Sequence, residues 1–204
     1  MNELSLADLE WFQDEQLRHD ALAHGEIVRL PMQRQLIHLT LHLSKYQGRL
    51  LKALRSEDGE TIQRLITDAF IILLSTANVL GRPPKIIGAG RPTSLSHLRS
   101  PEALMSAFVE VVGEMSKACE AFDDDASYPS HTVIEACVST LIRIVIALAN
   151  ATGVSLFETV PHRWSRVERR ASAGRKAGRI AVHHGTNAAC STPVCVSARL
   201  IVRS

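Results

Sequence analysis

Aromatic residues are scarce in this chain: Phe, Trp and Tyr make up 4% of its 204 positions, although 46% of all positions are hydrophobic. A core with so few rings must consist mainly of Leu, Ile, Val and Ala. This composition favours helices over a β-sandwich or a barrel, whose strands are enriched in aromatic and β-branched residues. The length predicts one domain of ordinary size with a substantial core.

Cysteine is also scarce, and its spacing fits neither a metal site nor a disulfide framework. No pair among Cys119, Cys137, Cys190 and Cys195 has CxxC spacing. We therefore expect a reducing, cytoplasmic location. The acidic, polar N-terminus does not resemble a signal peptide, and the longest apolar stretch, at residues 141–149, is too short to span a bilayer. We expect no membrane partner.

Acidic residues are absent from residues 171–204, which contain five basic ones, whereas the remainder has 18 basic and 21 acidic residues. The formal net charge of +2 thus combines a mildly acidic domain, residues 1–170, with a basic tail. The tail shows no helical period and is rich in Ala, Ser, Gly and Arg, so we predict that it is disordered. Five basic residues are few for nucleic-acid binding, and we expect no nucleic-acid partner.

One pattern occurs twice in the acidic domain. A helix-like segment with a central glycine is followed by an apolar run that ends in Ala-Asn-x-x-Gly. Copy 1 covers residues 32–81, and copy 2 covers residues 101–153. The first segments match at an offset of 65 residues and the second segments at 72, because the loop inside copy 2 is longer. Each copy predicts a helical hairpin.

Apolar residues at helical spacing, together with capping residues, predict six helices. Their ranges are 5–24, 32–55, 60–80, 101–122, 130–150 and 155–170, the last one interrupted near Pro161. Two hairpins give a four-helix bundle, to which the first and sixth helices are additions. We therefore predict an all-α fold: a four-helix bundle built from two duplicated hairpins.

Copy 2 and the segment after it contain VEVVGEMSKA and, further on, LIRIVIALANATGVSLFETVPHRWSRVERR. These motifs resemble MazG-type nucleotide pyrophosphohydrolases and their all-α relatives, including dimeric dUTPases. Family members show an EE-x-GE-x-x-x-A helix, then E-x-x-D and an apolar run into LAN-x-LG-x-DL, then a basic ending. The resemblance covers residues 36–170. It implies hydrolysis of an NTP or dNTP to NMP and pyrophosphate, with Mg²⁺ held by four acids.

Copy 2 has two acids of the first family helix, with Val111 where another acid is expected, and lacks the acids of the second. Glu110 and Glu114 occupy the first-helix acid positions, whereas Cys137 and Thr140 stand at the E-x-x-D positions. Carboxylates one turn apart on one helix can share a hard cation with carboxylates on a facing helix. Copy 2 alone therefore holds about half of such a site.

Copy 1 inverts the charges of the first helix. Lys45 and Arg49 stand at the positions of the two glutamates, and Asp68 is the acid that remains of E-x-x-D, with Leu65 in place of the Glu. In one interpretation, the copies share a site in which Asp68 and the two glutamates hold Mg²⁺ while Lys45 and Arg49 bind phosphate. Asp68 and Glu114 would then be catalytic.

In the other interpretation, the two basic residues pair with the two glutamates across the bundle. The protein would then be a degenerate bundle that serves as a nucleotide-binding or protein-interaction module, and its apolar faces could support a homodimer. The last predicted helix adds a basic stripe: Arg163, Arg166, Arg169 and Arg170. The resemblance would place Arg166 and Arg170 near substrate phosphate, whereas pairing with surface acids is the simpler alternative.

Two histidines in copy 1 suggest a different site. His38 and His42 lie one helical turn apart, which is the spacing of half a transition-metal site, and Asp68 on the neighbouring helix could complete it. Histidines on a Leu-rich helix are more often half-exposed or hydrogen-bonded residues without a metal.

Overall fold

Helices account for the regular structure of the residues that the computed structural model describes, which are 4–81 and 100–183, with side chains as far as Arg169. Within these ranges there are seven α-helices and no strand. They are α1 (Leu6–Ala23), α2 (Gly25–Val28), α3 (Met32–Arg55), α4 (Gly59–Val79), α5 (Pro101–Asp124), α6 (Ser130–Ala151) and α7 (Leu156–His183). The predicted all-α class is confirmed.

Short polar side chains start three of these helices. The Ser5 side chain accepts a hydrogen bond from the Asp8 amide and completes a capping box before α1. The Asp58 carboxylate accepts from the Thr61 amide at 3.0 Å before α4, and Ser100 caps α5 ahead of a proline at its first position. Such caps satisfy amides that have no partner within the helix, so these helix starts are encoded locally.

The repeated Ala-Asn-x-x-Gly motif ends a helix in both copies. Gly81 and Gly153 have φ angles of +61° and +71°, in the left-handed region that glycine enters at little cost. The amide of each glycine donates to the carbonyl of the motif asparagine, Asn78 at 3.0 Å and Asn150 at 3.4 Å. Helix termination therefore explains the glycine of the motif, whereas the Asn78 side chain donates to the Gln13 carbonyl of α1.

The two copies form the predicted four-helix bundle. Within the copies, α3 packs against α4 and α5 against α6; between them, α3 packs against α5 and α4 against α6. The core consists mainly of buried Leu, Ile, Val and Ala, as the composition predicts. The Thr40 hydroxyl and the Cys119 thiol, 3.3 Å apart, make a buried polar contact between the copies.

Helices α1 and α7 add a layer to copy 1. Helix α1 packs against α4, and Phe12 is fully buried with its ring centroid 5.4 Å from that of Phe70. Trp164 of α7 lies 6.2 Å from Phe12, and its indole N–H donates to Gln16 Oε1 at 2.6 Å. A buried aromatic cluster thus holds both helices against copy 1, which creates the cavity described below.

Helix α7 differs from the sequence prediction at two points. Pro161 lies within it without interrupting it, and the helix continues past the predicted end at Arg170 as far as His183. A proline in the second turn removes one backbone hydrogen bond, and the Ala, Arg and Lys residues after position 170 favour a helix. Residues 184–204 lie outside the described part, so their disorder stays a prediction. Contacts divide the chain into two units, Met1–Glu168 and Arg169–Ser204.

The sequence predicts that no apolar stretch is long enough to span a bilayer, but by length and composition α4 and α6 are both long and apolar enough to cross a membrane. In the bundle, 67% of the apolar window of α4 and 56% of that of α6 are buried. Core helices of a bundle have this character because they are hydrophobic on most of their surface. The cytoplasmic location therefore stays a prediction.

Candidate functional site

Asp68, one of the predicted metal ligands, forms a buried ion pair with Arg163. It lies on α4 with a side chain that is 8% exposed, and both of its oxygens face the Arg163 guanidinium. Arg163 Nε lies 2.5 Å from Oδ1 and Nη2 lies 3.1 Å from Oδ2. This bidentate geometry is the strongest form of carboxylate–arginine pairing. Both oxygens of the Asp68 carboxylate are therefore already bound by Arg163.

Glu110 and Glu114 belong to a different region of the bundle. Both are exposed on α5, which packs against α3 and α6, whereas Asp68 lies on α4 beside α1 and α7. In the described ranges, no group of three His, Cys, Asp or Glu side chains could hold a metal ion. The three carboxylates, as arranged, do not fit the Mg²⁺ site that the resemblance implies.

Lys45 and Arg49 are exposed on α3. Lys45 Nζ lies 3.4 Å from His42 Nδ1. Within the described part of the chain, neither Lys45 nor Arg49 forms an ion pair with Glu110 or Glu114. The charges that differ between the copies are thus solvated, and pairing across the bundle is not observed. Arg166 is exposed on α7, and the Arg170 side chain lies outside the described residues.

A cavity of about 220 Å³ lies over α4, the helix that packs against both α1 and α3. We call it the histidine pocket because four of its lining residues are histidines. Its rings belong to His19, His24, His38, His42, Tyr46 and Trp164. Its other polar side chains are Gln35, Asp20, Asp68, Ser75 and Arg163, and the remaining lining is aliphatic.

One set of rings comes from α3 alone. His38, His42 and Tyr46 are four residues apart and therefore share one helix face. The two imidazole centroids are 4.7 Å apart, and those of His42 and Tyr46 are 6.1 Å apart. The three rings form a continuous aromatic surface along one side of the pocket.

The other set of rings comes from the added layer. His19 is buried on α1, with its ring centroid 5.7 Å from that of His24 and 6.2 Å from that of Trp164. His19 Nδ1 lies 3.2 Å from a carboxylate oxygen of Glu168 on α7. Because the Trp164 indole also donates a hydrogen bond to Gln16 of α1, the position of this set of rings depends on the packing of α7 against α1.

Burial alters the protonation of groups in the pocket. Burial, followed by the charges of Lys45 and His38, holds the pKa of His42 below its ordinary value. Burial also raises the pKa of Asp20, although hydrogen bonds from Ser75 and Gln16 act in the opposite direction. At neutral pH, His42 is therefore a neutral imidazole with one donor and one acceptor nitrogen.

Sequence reasoning found part of this pocket and assigned it a different chemistry. In one interpretation of the sequence, His38, His42 and Asp68 form a transition-metal site; in the structure they line one cavity, and Arg163 pairs with the carboxylate of Asp68. A difference between the two copies is a sequence signal that could have indicated the aromatic lining of the pocket. The ring positions 38, 42 and 46 of copy 1 correspond in copy 2 to Ala103, Ala107 and Val111. The rings are therefore specific to copy 1.

In comparisons with known proteins, no family model, no curated protein and no solved structure matches this chain. The resemblance to MazG-type enzymes therefore rests on the sequence motifs alone.

Proposed function

We propose that this protein is a MazG-like helical bundle that binds a nucleotide, with the base in the histidine pocket, and that binding does not require Mg²⁺. The observation that supports this proposal is the lining of one cavity by two sets of rings together with carboxylates. The resemblance suggests the nucleotide as ligand, and the separation of Asp68 from the glutamates argues for binding without hydrolysis.

The chemistry of the pocket suits a nucleobase. Both faces of a base can stack on histidine, tyrosine or tryptophan rings, and such stacking contributes about 1–3 kcal/mol per base. The edge of a base carries N–H donors and ring acceptors, which Asp20 and the neutral imidazole of His42 can bind. Asp68 keeps Arg163 at the same wall, where the guanidinium contributes N–H donors.

The size of the pocket sets a limit on what it encloses. Cavities for drug-sized ligands measure about 300–1,000 Å³. At about 220 Å³, the histidine pocket is smaller than this range, so we expect it to enclose the base. The sugar and the phosphates would extend beyond it.

Titration of the full chain with nucleosides and nucleoside triphosphates, with and without Mg²⁺, tests this proposal. Removing one stacking ring by His42→Ala should weaken binding about 5- to 150-fold. The matched control is His131→Ala, because His131 is exposed on α6 outside the pocket. Absence of nucleotide binding, or equal affinities of the two variants, would contradict the proposal.

The second candidate function is the pyrophosphohydrolase activity itself. In its favour, Glu110 and Glu114 lie one turn apart on an exposed face and form no ion pair within the described ranges. The assay is pyrophosphate release from NTPs and dNTPs with Mg²⁺, comparing Glu114→Gln with Glu120→Gln, another exposed glutamate of α5. Release by the wild type and by the Glu120 variant, but not by the Glu114 variant, would establish hydrolysis and contradict the binding-only proposal.

A further inference from the structure

A second cavity, of about 420 Å³, lies where α4 and α7 begin. We call it the arginine cleft because Arg64, Arg163 and Arg166 line it, together with His162. We propose that the arginine cleft binds the phosphates of the nucleotide whose base occupies the histidine pocket. This inference rests on the proposed function, and it specifies the ligand as a nucleoside polyphosphate.

Arg64 is the main reason for expecting an anion. Its side chain is half-buried, and it forms no ion pair with any residue that the structure describes. A guanidinium in this position has lost part of its hydration, and the nearest carboxylate effect is a longer-range one: the charge of Arg64 helps, after hydrogen bonds from Thr61, to lower the pKa of Asp58. A phosphate would supply a direct partner through charge-assisted, bidentate hydrogen bonds. Arg166, which is exposed on α7, likewise has no ion pair within the described ranges.

Two carboxylates oppose the positive charge of the arginines. Glu60 and Glu158 line the cleft from the first turns of α4 and α7. Both are exposed, so water screens them more than it screens the half-buried Arg64. The N-termini of two long helices also lie at the cleft, and each adds about half a positive charge. Among the lining side chains, three arginines face these two glutamates, and Arg163 is already paired with Asp68, so the expected preference for an anion rests on the half-buried Arg64 and on the helix N-termini.

The two cavities adjoin at one side chain. Arg163 lines both the histidine pocket and the arginine cleft, and its guanidinium is held by Asp68. The Thr67 and Thr159 hydroxyls, 2.8 Å apart, add neutral hydrogen-bonding groups to the cleft. A molecule with a planar base at one end and several phosphates at the other matches this arrangement: a polar cleft next to an aromatic pocket.

Separate probes for the two halves of the ligand test the inference. Tripolyphosphate, nucleosides without phosphate, and NTPs are titrated into the full chain at low ionic strength. Arg64→Gln and Arg166→Gln should each weaken tripolyphosphate and NTP binding, the first by about 10- to 100-fold, the usual effect of losing a charge-assisted hydrogen bond. Nucleoside affinity should not change. The control is Arg55→Gln, at an exposed arginine outside both cavities.

The outcomes separate this inference from the proposed function. If nucleosides bind through His42 while both arginine variants keep wild-type affinity for tripolyphosphate and NTPs, the cleft is not the phosphate site and the proposed function stands. If tripolyphosphate binding depends on Arg64 but nucleosides do not bind, the cleft is an anion site and the nucleotide function is wrong. Arg166 is exposed, so its variant remains informative even if Arg64→Gln fails to fold.

Discussion

The ion pair between Asp68 and Arg163 should respond unequally to the loss of either partner. Arg163→Met leaves the carboxylate of Asp68, which is 8% exposed, without a partner. Removing one member of a buried pair costs about 3–5 kcal/mol. Asp68→Asn leaves Arg163, which is 25% exposed and can turn toward water, so we expect a cost of about 1–3 kcal/mol.

Thermal and urea unfolding of the purified variants measure this difference. For a unit of this size, 1 kcal/mol corresponds to about 2–4 °C in Tm, so Arg163→Met should lower Tm by about 6–20 °C. The double variant should be no less stable than Arg163→Met alone, because it buries no unpaired charge. Arg166→Met, one turn along α7 at an exposed position, is the control and should change stability by less than about 0.5 kcal/mol. A larger loss for Asp68→Asn than for Arg163→Met would refute the reasoning.

Three further predictions concern protonation, thiols and glycines. Because burial lowers the pKa of His42 in the folded protein, the imidazole binds a proton more readily in the unfolded chain as the pH falls below about 6.5. The free energy of unfolding, measured with urea, should therefore decrease between pH 7 and pH 5. The decrease should be smaller in His42→Leu. Burial, and secondarily Glu114, raises the pKa of Cys137 to about 11, so iodoacetamide at pH 8 should label its peptide slowly until urea is added; rapid labelling of the folded protein would contradict this burial. Gly81→Ala and Gly153→Ala should each cost about 1 kcal/mol in urea unfolding because of their positive φ, whereas Gly48→Ala, with open space in α3, should stabilise by about 0.5–1 kcal/mol; equal effects would be inconsistent with these backbone conformations.

Local signals account for what the sequence predicted correctly. The predicted range 32–55 equals α3, and the predicted starts of α1 and α5 lie at the capping residues Ser5 and Ser100. Caps, helical periods and terminal glycines act within a few residues, so one sequence suffices to locate them. The hairpin repeat then leads to a bundle, because each hairpin must cover its apolar face.

The candidate site depends on contacts between distant parts of the chain. Arg163 and Asp68 are 95 residues apart, and the sequence shows Arg163 only as one member of a basic stripe. His19 and Trp164 enter the pocket because aromatic packing around Phe12 docks α1 and α7 against copy 1. Periodicity within one helix contains no information on which other helix covers it, so the pocket could not be predicted.

The contacts between the two copies have a consequence for the origin of the pocket. In the bundle, α3 packs against its own counterpart α5, and α4 against its counterpart α6. Equivalent surfaces meet in this way in two-fold symmetric dimers, so the bundle resembles a dimer whose subunits have been joined in one chain. Joining makes the association independent of protein concentration. It also frees each half to change alone: a symmetric dimer would carry the aromatic surface of copy 1 twice, whereas the joined chain carries it once.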